Sequence, residues 1–289
     1  MNIALINPPS PFLIDERVFP NIGLVRVATQ LNAEGHTTEI FDFNGDKNYL
    51  EHCDVGKFDA YIFSSTTPQY SYTRKLAEEL MGKYPDAHFT IGGAHASAIN
   101  SLRHNKIEDT NIFELEIFDT IFNGEGEDTS NIFRYGWTTG NIIEDIDKTL
   151  IPDMSLIDLP SYKYKLFGKL TASIQTQRGC PHQCAFCCGR DIPMYNHVRF
   201  HSPERVLKEM DALNKKYGYT SFMWYDDEIN INIDRLEKLC KVLSKRNYQH
   251  RGFIRSDMVV KYPESIQWMK DAGFVKLCAG VESGSDRIL

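Results

Sequence analysis

Short apolar segments alternate with amphipathic ones along this chain, in two series separated by an irregular stretch. In the first series, strands are predicted at 2–7, 38–43, 60–65, 88–91 and 120–122. They are β-branched or aromatic and largely apolar, as strands covered on both faces read. Helical patterns intervene at 22–34, 72–84, 96–103 and 128–135, with Gly35 at a C-cap position after the first. This alternation predicts a parallel, doubly wound α/β sheet, whose ligands sit beyond the carboxyl ends of the strands. The segments to examine are therefore Pro8-Pro9-Ser10, Ser65-Thr66-Thr67, Gly92-Gly93-Ala94-His95 and Gly124-Glu125-Gly126-Glu127.

The pattern breaks over 140–169, where Pro152 and Pro160 punctuate a connector. In the second series, strands are predicted at 172–177, 221–225, 252–255 and 275–280, and helices at 203–217, 233–245 and 263–272. Ser202 then Pro203 fits an N-cap and first helical position, and Gly218 and Gly273 fit helix ends. The predicted organisation is a domain over 1–139, the connector 140–169, and a second domain over 170–289. Four β/α units do not close a barrel, so the second domain is either an open sheet or the start of a longer fold. A helical pattern just beginning at Leu289 favours the latter.

Apolar residues make up 42% of the 289 and charged residues 25%, a globular composition. The net charge of −7 comes without a Lys/Arg run, which argues against a nucleic-acid partner. The opening MNIALINPPS has no basic segment and is soon broken by proline, unlike a signal peptide. No apolar run approaches the ~20 residues that span a bilayer. A cytoplasmic protein is expected, and its seven cysteines are read as thiols or metal ligands. Cys53, Cys240 and Cys278 are scattered and read as small buried apolar residues.

Cys180, Cys184, Cys187 and Cys188 crowd into one loop, QRGCPHQCAFCCGR. The Cys-x3-Cys-x2-Cys spacing lets three thiolates converge on one metal centre. A four-iron cluster takes four ligands, so three cysteines would leave one iron open to an exchangeable ligand. Zinc is the rival, with Cys188, His182, His197 or His201 as fourth ligand. A cluster of buried, unliganded cysteines is the third reading.

Cys180, Cys184 and Cys187, with Phe186 before the last, resemble the signature of radical S-adenosylmethionine (SAM) enzymes. That resemblance implies a 4Fe-4S cluster whose open iron is chelated by SAM. An electron from the cluster then splits SAM to a 5′-deoxyadenosyl radical. VRFHSPERVLKEM, WYDDEIN and GVESGSD are also similar to segments of that family, implying a partial (β/α) barrel. By the resemblance, Phe186 lies at the SAM site and Asp226 or Asp227 near the methionine ammonium. Arg255 would face the methionine carboxylate, and Glu282 the ribose hydroxyls. Each has a plainer reading as a helix cap, ion pair or hydrated strand end.

In the first domain, NGEGED sets acids where a dinucleotide pyrophosphate would need bare amides. The order INPP, PNIGLVRVATQL, SSTTPQY, IGGAH and NGEGE, with the connector IPDMSLIDLPSY, resembles the Rossmann-like cobalamin-binding domain that precedes many radical SAM domains. It implies that Ser64, Ser65 and Thr66 line the cobalamin nucleotide tail and that Gly92 and Gly93 allow close backbone approach. Gly124 to Glu127 would cap the last strand, with Gly124, Glu125 and Gly126 at the cobalamin. No histidine sits in an Asp-x-His-x-x-Gly pattern, so cobalamin without histidine on cobalt is expected. The loop Thr67-Pro68-Gln69-Tyr70 would then face its lower side.

Together these imply a cobalamin-dependent radical SAM methyltransferase for an unactivated carbon or phosphorus. Its substrate would be a small molecule or peptide, and its reductant a flavodoxin or ferredoxin. A non-methylating rearrangement or cyclisation with the same cofactors is the alternative. A non-catalytic fragment is the third expectation.

Overall fold

In the computed structural model of this chain, which describes residues 1–105 and 114–287, two α/β units are present. One comprises 1–144, 148–162 and 186–194; the other comprises 145–147, 163–185 and 195–289. Leu289 lies outside the described residues.

The first unit is built on β1 (Asn2–Asn7), β2 (Thr37–Asp42), β3 (Ala60–Ser64), β4 (His88–Gly92), β5 (Thr120–Asn123) and β6 (Gly136–Thr139). They form one parallel sheet in the order β2-β1-β3-β4-β5-β6. The order reverses between β1 and β3, the switch point beside which open α/β sheets bind ligands. Side chains alternate across the strands. Ala4, Ile6, Tyr61, Phe63 and Ile91 pack on one face with α2 (Tyr70–Lys83) and α3 (Ala94–His104). Ile3, Leu5, Ala60, Ile62 and Phe122 pack on the other with α1 (Ile22–Ala33) and the 132–133 segment. Asn21 caps α1 by accepting from Leu24 N.

The helix predicted at 128–135 does not form. A single 3-10 turn, Thr129–Asn131, leads instead into β6, which the sequence reading missed. The Asp128 carboxylate accepts from Ser130 N and Oγ and from Asn141 N, local bonds that compete with a helical ladder. Thr90 and Thr138 hydroxyls donate to the Ile132 and Asn131 carbonyls, taking two acceptors a helix would use.

In the second unit, β7 (Ala172–Ile174), β8 (Ser221–Trp224), β9 (Gln249–Ile254) and β10 (Phe274–Ala279) form a parallel sheet in the order β10-β9-β8-β7. Consecutive strands are neighbours throughout, the order of a barrel wall. Helices α4 (Pro203–Tyr217) and α5 (Ile233–Leu243) connect the first three, and α6 (Ser256–Lys261) and α7 (Ser265–Asp271) lead to the last. Ser202 caps α4, and Gly218 ends it with a left-handed φ of 77°. The strand predicted at 172–177 is split: Gln177–Arg178 leaves the sheet and pairs antiparallel with Arg199–Phe200. Cys53 and Cys240 are buried as expected, while Cys278 is only half-buried.

Candidate functional site

The cysteine loop is closed at its neck by the Gln177–Arg178/Arg199–Phe200 ribbon. Gly179 makes this closure possible. Its φ is 84°, and a Cβ there would lie 2.3 Å from the His197 carbonyl oxygen. The next backbone bond, Cys180 N to Tyr195 O at 2.8 Å, fixes where the first cysteine starts. Cys184 is half-buried, and Phe186, Cys187 and Cys188 are exposed. All four cysteines of the loop are free thiols, the donor set an iron–sulfur cluster requires.

Asp226 does not face an open site. It is 1% exposed, and its carboxylate accepts from Thr176 N at 2.6 Å, from Gln177 N at 3.0 Å and from the Thr176 hydroxyl. Burial pushes its carboxyl up to about 6, against the Thr176 hydrogen bond and the charge of Arg235. Arg235 donates to the Thr176 and His201 carbonyls at 2.8 and 3.2 Å, and lies 4.7 Å above the Phe200 ring. Asp226 therefore ties the ribbon to the end of β8 and Arg235 ties it to α5, and together they hold the strand that delivers Cys180. Of the two carboxylates expected for the methionine ammonium, Asp226 is the one engaged by these three bonds. Asp227 is exposed and remains available.

Two residues on, Glu228 is 3% exposed. Its Oε1 accepts from the Cys180 thiol at 3.1 Å and lies 3.2 Å from His182 Nε2. Burial pushes the Cys180 thiol up to about 12, and the Glu228 and Asp227 carboxylates act in the same direction. A bound cation would reverse this preference. Arg255 has its backbone clamped by Asn230, in bonds of 2.9 Å each way. Its guanidinium grips Asp257 at 3.0 and 2.8 Å and lies 3.6 Å from Glu228 Oε2. Glu282 is exposed at a φ of 58°, and its Oε1 lies 2.5 Å from where a Cβ on Gly280 would stand. A non-glycine residue held there carries backbone strain, a feature that gathers at working sites.

In the first unit, an apolar slot of about 160 Å³ opens between α1, the ends of β3 and β4, and the 124–132 segment. Interior cavities of roughly 150 Å³ accept a benzene-sized ring. Of the segment predicted as the helix 128–135, Ile132 lines this slot. Ser64, Gly92, Gly93, Gly124 and Gly126 line it, together with Gly23, Val27 and Thr90. A Cβ on Gly93 would lie 2.9 Å from Ser65 N and O; one on Gly126 would lie 2.5 Å from Val27 Cγ2. Only glycine permits walls this close, a cradle that fits a flat ligand group such as the base of cobalamin.

The other expected cobalamin residues are not brought to the slot. Ser65 is buried and bonds Thr73 Oγ1 and the Thr66 carbonyl. Thr66 donates from N and Oγ1 to Gln69 Oε1, capping the turn before α2. Glu125 accepts from Ile143 N at 2.8 Å and shapes the loop. In the Thr67–Tyr70 loop, Gln69 is buried and donates to the Pro8 carbonyl and Ser10 Oγ. Glu228 and Arg235 went unnoticed in the sequence. Arg235 carried a signal: it shares one helix face with Leu236, Leu239 and Leu243, where only a partnered charge is tolerated. Glu228 carried none, since nothing in the order of residues sets Cys180 opposite it.

The folds and sites together define a doubly wound α/β unit with a glycine-walled slot and a second unit with a barrel-wall sheet beside a cysteine loop. Comparison with known proteins agrees. Residues 16–131 match the B12 binding domain family, and residues 174–289 match the Radical SAM superfamily. These two regions thus match, in order, the two domains that cobalamin-binding radical SAM enzymes combine. It is 27% identical to an uncharacterized methyltransferase of Pyrococcus horikoshii, over 100% of this chain and 67% of that protein. It is 24% identical to the anaerobic magnesium-protoporphyrin IX monomethyl ester cyclase of Synechocystis, over 100% of this chain and 62% of that protein. Its fold matches the radical SAM methyltransferase TsrM of Kitasatospora setae with a TM-score of 0.70 at 17% identity, covering 100% of this chain and 60% of that one. It matches the cobalamin-dependent enzyme OxsB with a TM-score of 0.71 at 18% identity, covering 100% and 45%. The chain thus spans 45% to 67% of the length of these relatives.

Proposed function

We propose that this chain carries the cofactor-binding part of a cobalamin-dependent radical SAM methyltransferase, acting on an unactivated carbon or phosphorus centre of a small molecule or peptide. The observation that carries this reading is the tandem of a glycine-walled slot on a parallel sheet with a three-cysteine loop on a barrel-wall sheet. The match of this chain to 67% of an uncharacterized methyltransferase supports it.

Cys180, Cys184 and Cys187 would hold the 4Fe-4S cluster. When bound, the cluster supplies the electron that splits SAM, and cobalamin supplies a transferable methyl group. The chain's own residues bind and orient. The neck ribbon and the Asp226–Thr176 bonds hold Cys180 in place. Arg255, its backbone clamped by Asn230, offers guanidinium nitrogens to the methionine carboxylate. Asp227 is the carboxylate left for the ammonium, Glu282 accepts from the ribose hydroxyls, and Phe186 covers the cofactor. Ser64, Gly92, Gly93, Gly124 and Gly126 receive part of cobalamin, while Ser65, Thr66 and Glu125 shape the loops around it. The reductant is a flavodoxin- or ferredoxin-type protein. No helix among the described residues is long and apolar enough to cross a membrane, which agrees with a cytoplasmic site of action.

Reconstituted protein incubated anaerobically with methyl-labelled SAM and dithionite is expected to release 5′-deoxyadenosine and to pass label to cobalamin. Absence of 5′-deoxyadenosine would overturn the radical reading. The cyclase relative supports a second reading, cyclisation with the same cofactors. Label recovered only in SAM and in methionine, never on cobalamin or a product, with 5′-deoxyadenosine still formed, would favour it.

A further inference from the structure

Cys180, His182 and Glu228 set one sulfur, one imidazole nitrogen and one carboxylate oxygen within 4.8 Å of one another. All three residues belong to the second unit, and neither Cys184 nor Cys187 takes part. Glu228 is the pivot. It is 3% exposed, and its Oε1 stands 3.1 Å from Cys180 Sγ and 3.2 Å from His182 Nε2. Its Oε2 faces Arg255 at 3.6 Å, which orients the carboxylate while leaving Oε1 aimed at the other two groups. Outer partners orient metal ligands in this way.

The spacing suits a small tetrahedral cation. With Zn–S near 2.3 Å and Zn–N and Zn–O near 2.1 Å, tetrahedral ligand atoms stand roughly 3.3–3.6 Å apart. The two separations from Glu228 Oε1 need to open by only a few tenths of an ångström, and Cys180 Sγ and His182 Nε2 lie within 4.8 Å of each other. Charge also balances: a thiolate and a carboxylate neutralise a divalent ion, the imidazole stays neutral, and water fills the fourth position. The thiol proton leaves to solvent as the metal–sulfur bond forms. We propose that, in protein lacking its iron–sulfur cluster, Cys180, His182 and Glu228 bind a single zinc-type divalent cation at a site independent of Cys184 and Cys187. Given the cluster ligation proposed above, the two occupancies exclude one another, because both need the Cys180 thiolate. Zinc held there blocks cluster assembly, and His182 and Glu228 set how firmly.

The test uses cobalt(II) as a spectroscopic stand-in for zinc, titrated anaerobically into the full chain without iron or SAM. The Cys184→Ala/Cys187→Ala double variant removes the three-cysteine set. It is expected to bind about one equivalent, with tetrahedral visible bands and the charge-transfer intensity of one thiolate, reversed by zinc. In that background, Glu228→Gln and, separately, His182→Gln are expected to weaken binding at least tenfold without changing the far-ultraviolet circular dichroism. No tetrahedral spectrum in the double variant, or unchanged binding in both further variants, overturns the proposal. Neither outcome touches the cluster reading, which is measured with iron and all three cysteines present.

Discussion

His250 is fully buried among Phe222, Trp224 and Phe274, and its Nδ1 accepts from the Trp224 indole at 3.3 Å. Burial drives its pKa from 6.5 down to about 3. Between those values the unfolded chain takes up a proton that the folded chain refuses. Stability from this residue is therefore full above about 6.5 and falls as the pH drops, at about 1.4 kcal/mol per pH unit. Asp226 has the opposite sign: its raised carboxyl favours the fold at low pH and loses that advantage as the pH rises through about 6. The test is thus a comparison between proteins. His250→Asn keeps an acceptor for Trp224, and its denaturation midpoints should depend less steeply on pH than wild type between 6.5 and 4. Parallel curves would refute this role. On the first unit, a Cβ on Gly92 would meet its nearest atom, the Phe122 carbonyl oxygen, at an ordinary 3.6 Å. Gly92→Val should therefore fold, yet fill the slot. Cobalamin affinity is expected to fall at least tenfold by equilibrium dialysis, a loss of about 1.4 kcal/mol. Undiminished affinity would place the cobalamin elsewhere.

At the scale of elements, the strand–ribbon–loop segment from β7 to α4 does most to place the cysteines. Its anchor is the Asp226 carboxylate, which serves Thr176 and Gln177 four and three residues ahead of Cys180. Asp226→Ala removes the acceptor of three hydrogen bonds and leaves the buried Thr176 and Gln177 amides unpaired, at about 1–3 kcal/mol each. Lower thermal stability and reduced iron content after reconstitution are expected, with 5′-deoxyadenosine formation falling in proportion to iron. Full iron with lost activity would mean that Asp226 touches the cofactor after all. The same segment marks what was legible in the sequence. Periodicity located both sheets and most helices, because buried strands and amphipathic helices carry their own pattern. The cysteine spacing located the loop. The 128–135 segment failed because hydroxyl and carboxylate side chains captured its backbone, and that failure fell on the wall of the slot. Asp226 looked like a ligand residue only because the sequence does not say which way a carboxylate turns. Glu228 was invisible because its partners are Cys180 and Arg255, distant in the chain.

At the scale of the whole molecule, the account joins two cofactor sites in one chain, and the glycine-walled slot lies within the first unit. The site residues cluster at the carboxyl ends of parallel strands in both units, where such sheets expose backbone and side chains to ligands. Cys184→Ala should abolish the cluster's visible absorption and all 5′-deoxyadenosine, while cobalamin binding by the first unit stays within twofold. Loss of both together would contradict independent sites. The most direct test is electron paramagnetic resonance of the dithionite-reduced, reconstituted protein, recorded with and without SAM. A reduced 4Fe-4S signal that changes on adding SAM is expected, because the cofactor would chelate the one iron the cysteines leave open. A signal indifferent to SAM would contradict the account.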